Sequence, residues 1–324
     1  MHNILLLILT SFLGTSLSCL GAEEVPWLRF EGPVSHLKIA PNGLYLALLE
    51  GVGLTKKHLK IVELLTKEVF LVAESVTENS FQWTPDGNRL LFQEIEGVLP
   101  EKANISLFDA KNKTKTIIKK MDYFADYLNI SPLDHKLRAI SPNGLIRFKL
   151  DYKDSKLAKW QRYLSADAGS FVISHNAIYW VPIGGLAFKK LVSTEMISSF
   201  AISPDGSILA WATAKNMIFR VKQGEKPEFI DHGQDPYWHP QDKELIYAGA
   251  RLIGKKVSSF DLKIMQRNHI KSWITTSQLT SERWPNFLPK TKAIIYTKEN
   301  TTDIYYQEFP LVKVAKKDFL PSHP

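Results

Sequence analysis

An all-β repeat protein is the fold class that this sequence predicts. Three observations carry the prediction: one short turn motif recurs along the chain, apolar and polar residues alternate with a period of two around it, and no stretch keeps a helical period over three turns. The motif reads apolar, any, apolar, small, Pro, Asp or Asn, Gly, and a second apolar run follows. Its clear copies are Leu37-Lys38-Ile39-Ala40-Pro41-Asn42-Gly43, Phe81-Gln82-Trp83-Thr84-Pro85-Asp86-Gly87 and Phe200-Ala201-Ile202-Ser203-Pro204-Asp205-Gly206. Each residue type answers a backbone need. Proline pre-sets φ at the start of a turn, Asp or Asn caps it, and Gly takes the positive φ that closes a hairpin.

Worn copies fill the intervals: Leu128-Asn129-Ile130-Ser131-Pro132, Pro236-Tyr237-Trp238-His239-Pro240 and Pro285-Asn286-Phe287-Leu288-Pro289, with a faint one, Phe171-Val172-Ile173-Ser174-His175-Asn176, in which His175 replaces the proline. The proline column stands at 41, 85, 132, 175, 204, 240 and 289, in steps of 44, 47, 43, 29, 36 and 49. Most such steps suit one four-stranded blade, so the expected architecture is a β-propeller of six or seven four-stranded blades. Six follows if the His175 copy is spurious. Two residues before the marker stand Ile39, Trp83, Ile130, Ile173, Ile202, Trp238 and Phe287, all large and apolar, as packing between blades requires. Within the first repeat, 44–49, 58–65 and 68–73 read as the remaining strands.

Gly, Pro and Asn are scattered at turn spacing and pool in no linker, so one domain is expected over residues 24–315, with a tail at 316–324. The strands expected after Pro289 (293–298, 303–308 and 311–315) lack an inner partner. Residues 34–40 are expected to supply it, closing the ring with strands from both chain ends.

The first 22 residues carry no Asp, Glu, Lys or Arg, and an apolar core, Ile4 to Leu13, gives way to small residues. This reads as an export signal. The single cysteine, Cys19, sits where a lipoprotein places its acylated cysteine, although Ser16-Leu17-Ser18 does not follow the usual order of a lipobox. Cleavage near Gly21 or Ala22 and lipidation of Cys19 are both left open. Without a cysteine pair, no disulfide is expected.

Lys and Arg exceed Asp and Glu by 41 to 33, a net charge of +8 that attracts anionic envelope components such as lipid head groups, cell-wall polymers or acidic proteins. Lysines cluster at Lys56, Lys57 and Lys60, and from Lys111 to Lys120, in segments that read as strands. Lysine on an edge strand also serves simply to block aggregation, which is the favoured reading. No nucleic-acid partner is expected.

The Ser-Pro-Asp-Gly-type repeats, followed by strands such as Ile208-Leu209-Ala210-Trp211 and Leu245-Ile246-Tyr247-Ala248, resemble those of the TolB family and related periplasmic propellers. The resemblance implies a six- or seven-bladed propeller in the bacterial periplasm that acts as a non-enzymatic platform for other proteins. The α/β domain that precedes the propeller in TolB has no expected counterpart, because the first repeat begins soon after the expected cleavage site.

Catalytic motifs are sparse. There is no Gly-x-Ser-x-Gly, no glycine-rich phosphate loop and no His-Glu-x-x-His, and no cofactor is expected. The segment Ser165-Ala166-Asp167-Ala168-Gly169 only opens like a sialidase Asp-box. Asp122 and Asp126 lie in a loop before a first strand. The densest polar run, from Asp231 to His239, offers His232, His239 and Asp235 to a metal-dependent polysaccharide lyase or hydrolase, the alternative to a binding scaffold. Geometry supplies the favoured site. Loops leading into the innermost strands crowd around one mouth of a propeller's channel, and five residues before each marker stand His36, Ser80, Tyr127, Ser170, Ser199, Asp235 and Trp284. This polar ring with aromatic members suits a protein or peptide ligand, with Tyr127 and Trp284 as anchors.

Overall fold

The computed structural model describes residues 25–308 apart from 53–55, 97–101, 123–124, 126, 131–135, 142–143, 150–168, 175, 184–187, 241–243, 267–268, 277–279, 290 and 292. The expected signal with Cys19, the markers Pro132 and His175, Asp126, the 311–315 strand and the tail lie outside those residues. All regular structure among the described residues is strand and turn.

A short strand, β1 (Leu28–Arg29), precedes a first group of four, β2 (Val34–Ile39), β3 (Tyr45–Val52), β4 (Lys56–Glu63) and β5 (Val69–Ala73). The second group is β6 (Val76–Trp83), β7 (Arg89–Glu96), β8 (Lys102–Asp109) and β9 (Thr114–Met121). Two three-stranded sheets follow, β10 (Asn129–Ile130), β11 (Lys136–Ser141), β12 (Gly144–Lys149) and then β13 (Gly169–Ser174), β14 (Ala177–Pro182), β15 (Lys189–Ser193). The faint repeat therefore opens a sheet of its own. A continuous seven-stranded sheet comes next: β16 (Ile197–Ile202), β17 (Ile208–Thr213), β18 (Met217–Lys222), β19 (Glu228–Trp238), β20 (Leu245–Ile253), β21 (Lys256–Met265) and β22 (Lys271–Trp273). In it β19 is shared. Residues 228–232 pair with β18 as a fourth strand, and Gly233 to Trp238 pair with β20 as the first strand of the next group. The last sheet holds β23 (Glu282–Phe287), β24 (Ala293–Lys298), β25 (Asp303–Glu308) and, outermost, β1.

Among the described residues every pairing is antiparallel, and all but one join chain neighbours. Leu28 pairs with Ile304 and Arg29 with Asp303, so the N-terminal strand closes the ring. Closure by both chain ends matches the sequence expectation, but the strand responsible does not. Val34–Ile39 is the innermost strand of its own group, and β23 is the inner partner that residues 293–308 were expected to lack. The first strands contact one another in order, β2 with β6, β6 with β10, β10 with β13, and onward through β16, β19 and β23 back to β2, with β13 and β16 joined by a shared apolar cluster.

The apolar clusters lie between groups. Trp83, Phe81 and Phe92 pack with Leu59, Ile61 and Val72 across the first interface, and Ile295 and Ile304 pack with Val34, Leu37 and Ile39 across the closing one. Of the column two before the marker, all members are buried except Ile202, which is half-buried.

The three intact motifs fold alike. Gly43, Gly87 and Gly206 adopt φ of 73°, 71° and 72°, and each donates its N–H to the residue before the proline at 2.8 Å. The next acid or amide works as designed: Asp86 accepts from Asn88 N–H at 3.1 Å, and Asp205 accepts from Ser207 N–H at 3.0 Å. At Gly87 the turn also meets its neighbour, since a Cβ there would lie 2.6 Å from the Asn42 backbone nitrogen.

Candidate functional site

The first strands surround an axial cavity of about 440 Å³, lined from His36, Ser199, Asp235 and Trp284 at one level to Pro41, Pro85, Pro204 and Pro240 at the other. Strand edges carry unpaired backbone groups, and here side chains three positions before the marker satisfy several of them. Asn286 accepts from Ile39 N–H at 3.1 Å and donates to Leu37 O at 2.9 Å. Lys38 Nζ donates to Phe81 O at 2.8 Å, and Gln82 accepts from Ile130 N–H at 2.9 Å. Each tie runs from one first strand to the next. These residues were legible by the same count that found the other columns, but a polar residue inside an apolar strand carries no obvious signal.

At the first level, β2, β19 and β23 share one irregularity. In each, two residues oppose one on the neighbouring strand: 36 and 37, 235 and 236, 284 and 285. The first of each pair, His36, Asp235 or Trp284, has a positive φ of 53°, 53° or 49°. That is the left-handed seat of a β-bulge, usually filled by glycine, and a side chain there costs about 1–2 kcal/mol. Other contacts hold these three in place. Arg283 grips Asp235 through Nε at 2.6 Å and Nη2 at 3.4 Å, and its guanidinium lies over the Trp284 ring at 4.7 Å and the Phe260 ring at 5.1 Å. Trp284 N–H donates to Asp235 Oδ2 at 3.3 Å, and Asp235 N–H donates to Ser199 Oγ at 3.0 Å. The His36 and Trp284 rings lie 5.1 Å apart.

Burial drives the His36 pKa down to about 4, so the ring is neutral at physiological pH. Its Nε2 stands 3.8 Å from Glu78, which is bridged to Lys57, and its buried Nδ1 has no hydrogen-bond partner. Burial also lowers Lys38, to about 8. Lys38 has no carboxylate partner among the described residues, whereas Asp235 is neutralised by Arg283, so Lys38 is the uncompensated charge on the cavity wall.

Of the seven ring residues expected from the sequence, His36, Ser199, Asp235 and Trp284 line the cavity. The other three turn into the protein. Ser80 Oγ donates to Thr77 O at 2.6 Å, and Ser170 Oγ accepts from Arg138 at 3.0 Å. Tyr127 is 5% exposed, donates its hydroxyl to Ile197 O at 2.7 Å and packs edge-on against Phe200, so it is a packing residue and offers no anchor.

His232, His239 and Asp235 are not brought together. His232 lies within β19 and His239 one residue past its end at Trp238, seven positions apart and roughly 20 Å at strand rise. The His232 ring packs on Phe229, the His239 ring packs on Phe287, and Asp235 is held by Arg283. Asp231 accepts from Tyr247 at 2.8 Å and Lys263 at 2.9 Å as a structural ion pair. Asp122 is exposed.

Lys115, Lys119 and Lys120 lie on β9, the outer edge of its sheet, with Lys111 and Lys113 in the turn before it, as the aggregation-blocking reading expects, whereas Lys57 and Lys60 lie on β4, between β3 and β5, where that reading does not apply. Lys113 pairs with Glu68 and Lys115 with Glu94, both at 3.0 Å, so part of the rim charge is already neutralised.

No family model matches the sequence, and no curated protein matches it. Among solved structures the chain is similar to one in a mitotic checkpoint complex, with TM-score 0.55 and 13% identity, covering 93% of this chain and 99% of that one. It is also similar to the β-propeller domain of Myceliophteria thermophila Cps50 (Swd1), at 0.53 and 14%, covering 89% and 100%. A putative TolB from Agrobacterium tumefaciens gives 0.51 and 14%, covering 88% and 93%. At such identities the likeness is one of fold, and that fold is an all-β propeller.

Proposed function

We propose that this chain is an exported, non-enzymatic propeller of the TolB-like repeat kind, located in the bacterial periplasm or at its membranes, which binds a protein or peptide at the channel mouth formed by His36, Asp235 and Trp284. One observation carries the reading. Three first strands hold non-glycine residues in the same strained bulge seat, and strain kept at matching positions around a cavity marks a place where geometry serves binding. Trp284 is the anchor, because a half-buried aromatic beside a cavity has apolar area left to cover. The fold supports the reading in general terms, since propellers commonly serve as binding platforms.

The test is affinity capture from an envelope extract on the wild type, on Trp284→Ala and on Lys113→Glu/Lys115→Glu/Lys120→Glu, with captured proteins identified by mass. The expected result is a defined partner retained by the wild type and the lysine variant and lost by Trp284→Ala, with unchanged melting of all three. A partner kept by Trp284→Ala and lost by the lysine variant at physiological salt overturns the mouth in favour of the rim.

A further inference from the structure

Resting on that reading of the mouth, we propose that the cavity receives the free C-terminus of a polypeptide, whose terminal carboxylate pairs with Lys38 while the last side chains lie against the aromatic and proline wall. Lys38 holds a structural place in the ring of first strands. It ties β2 to β6 through Phe81 O, the task that Asn286 performs between β23 and β2 and Gln82 between β6 and β10. A neutral amide suffices for such a tie. A lysine adds a charge, and burying a charge is unfavourable unless it finds a counter-ion. None is present among the described residues. The carboxylate that shares the cavity wall, Asp235, is committed to Arg283 at 2.6 Å, and Glu78 is bridged to Lys57.

An ammonium has three donors, and Phe81 O occupies one. The Phe81 ring lies 4.6 Å below the same nitrogen, which fixes its position without neutralising it. A carboxylate at this point gains a charge-assisted hydrogen bond in a largely apolar enclosure, where such bonds are strongest.

Size and shape select the chain end. About 440 Å³ lies in the range of small-ligand sites and holds a few side chains, so neither a folded surface nor a polypeptide doubling back on itself fits. Lys38 stands two residues further along β2 than His36, so a chain passing His36 and Trp284 reaches it with its last residue. Trp83, Phe200, Tyr237 and Trp238 then face the terminal side chains, which points to an apolar C-terminal residue.

The experiment uses a hexapeptide pool randomised at its last three positions, made as free acids and as C-terminal amides, and measures retention on immobilised full-length protein. Lys38→Gln is the informative variant, because it keeps a donor for Phe81 O and removes the charge; its melting temperature confirms the fold. The expected result is that the wild type retains the acid pool roughly tenfold or more over the amide pool, and that Lys38→Gln abolishes the difference. Equal retention of acid and amide overturns the proposal. If Trp284→Ala still abolishes that equal retention, the mouth survives as a peptide site without a carboxylate pocket. An acid preference that persists in Lys38→Gln also overturns it, as does failure to retain either pool. Lys38-dependent binding of phenylpropionate without retention of the acid pool overturns the polypeptide as the source and assigns the pocket to a small organic acid.

Discussion

The indole nitrogen of Trp83 donates to the carbonyl oxygen of Lys38 at 2.7 Å, crossing from one first strand back to the preceding one. Trp238 does the same toward Ala201 at 3.1 Å. Both tryptophans stand two before a marker proline and both acceptors three before one, so the bond belongs to the repeat. Replacing Trp83 by Phe keeps most of the buried ring and strands the carbonyl. A loss of about 1–3 kcal/mol is expected by urea denaturation. A loss under about 0.5 kcal/mol would mean that solvent in the channel replaces the indole.

Gly87 and Gly224 separate two reasons for a glycine. Both have positive φ, 71° and 80°, yet a Cβ on Gly87 meets the Asn42 backbone at 2.6 Å and one on Gly224 meets nothing within 4 Å. Gly224→Ala is therefore expected to lose only the conformational term, about 1 kcal/mol, and Gly87→Ala clearly more. Equal losses would show that adjacent turns yield freely.

His36 sets an acid limit on the mouth. Its folded-state pKa of about 4 lies below the ordinary 6.5, so the unfolded chain binds the proton first as pH falls. The contribution is complete above pH 6.5, declines between 6.5 and 4, and is level below. Glu78, Asp235, Lys57 and Lys38 are the charges that bear on the ring. Relative to His36→Asn, the wild type is expected to lose roughly 2–3 kcal/mol across that window, read from denaturation midpoints at a series of pH values. Parallel profiles would place the ring in solvent.

The turns were legible because Pro, Asp and Gly are each demanded by a local backbone conformation, and the column from Ile39 to Phe287 followed from counting back from them. The closing strand was not, since Leu28–Arg29 is too short to show a period and Val34–Ile39 fits either role by pattern. At the mouth, counting reached the lining residues His36, Ser199, Asp235 and Trp284, but it also returned Ser80, Ser170 and Tyr127, whose side chains turn into the protein. It did not distinguish the bulged seats, because His, Asp and Trp do not advertise positive φ, nor did it reveal that Tyr127 points into the blade packing. Arg283, which organises Asp235 and Trp284, sits one position outside the counted column and was missed.

The closing pair, Leu28 with Ile304 and Arg29 with Asp303, joins residues 274 or more positions apart, and Arg29 adds an ion pair to Asp303 at 2.8 Å. Loop closure over such a distance grows only logarithmically with length, so a two-residue strand suffices to hold it. Its consequence is temporal. During synthesis β1 emerges long before β25, and until β25 arrives β1 has no partner strand and β24 offers a bare edge to any extended segment nearby. A growing chain of this protein is thus most open to misassociation before β25 emerges, and a circular permutant that joins residues 29 and 303 within one hairpin would remove that interval.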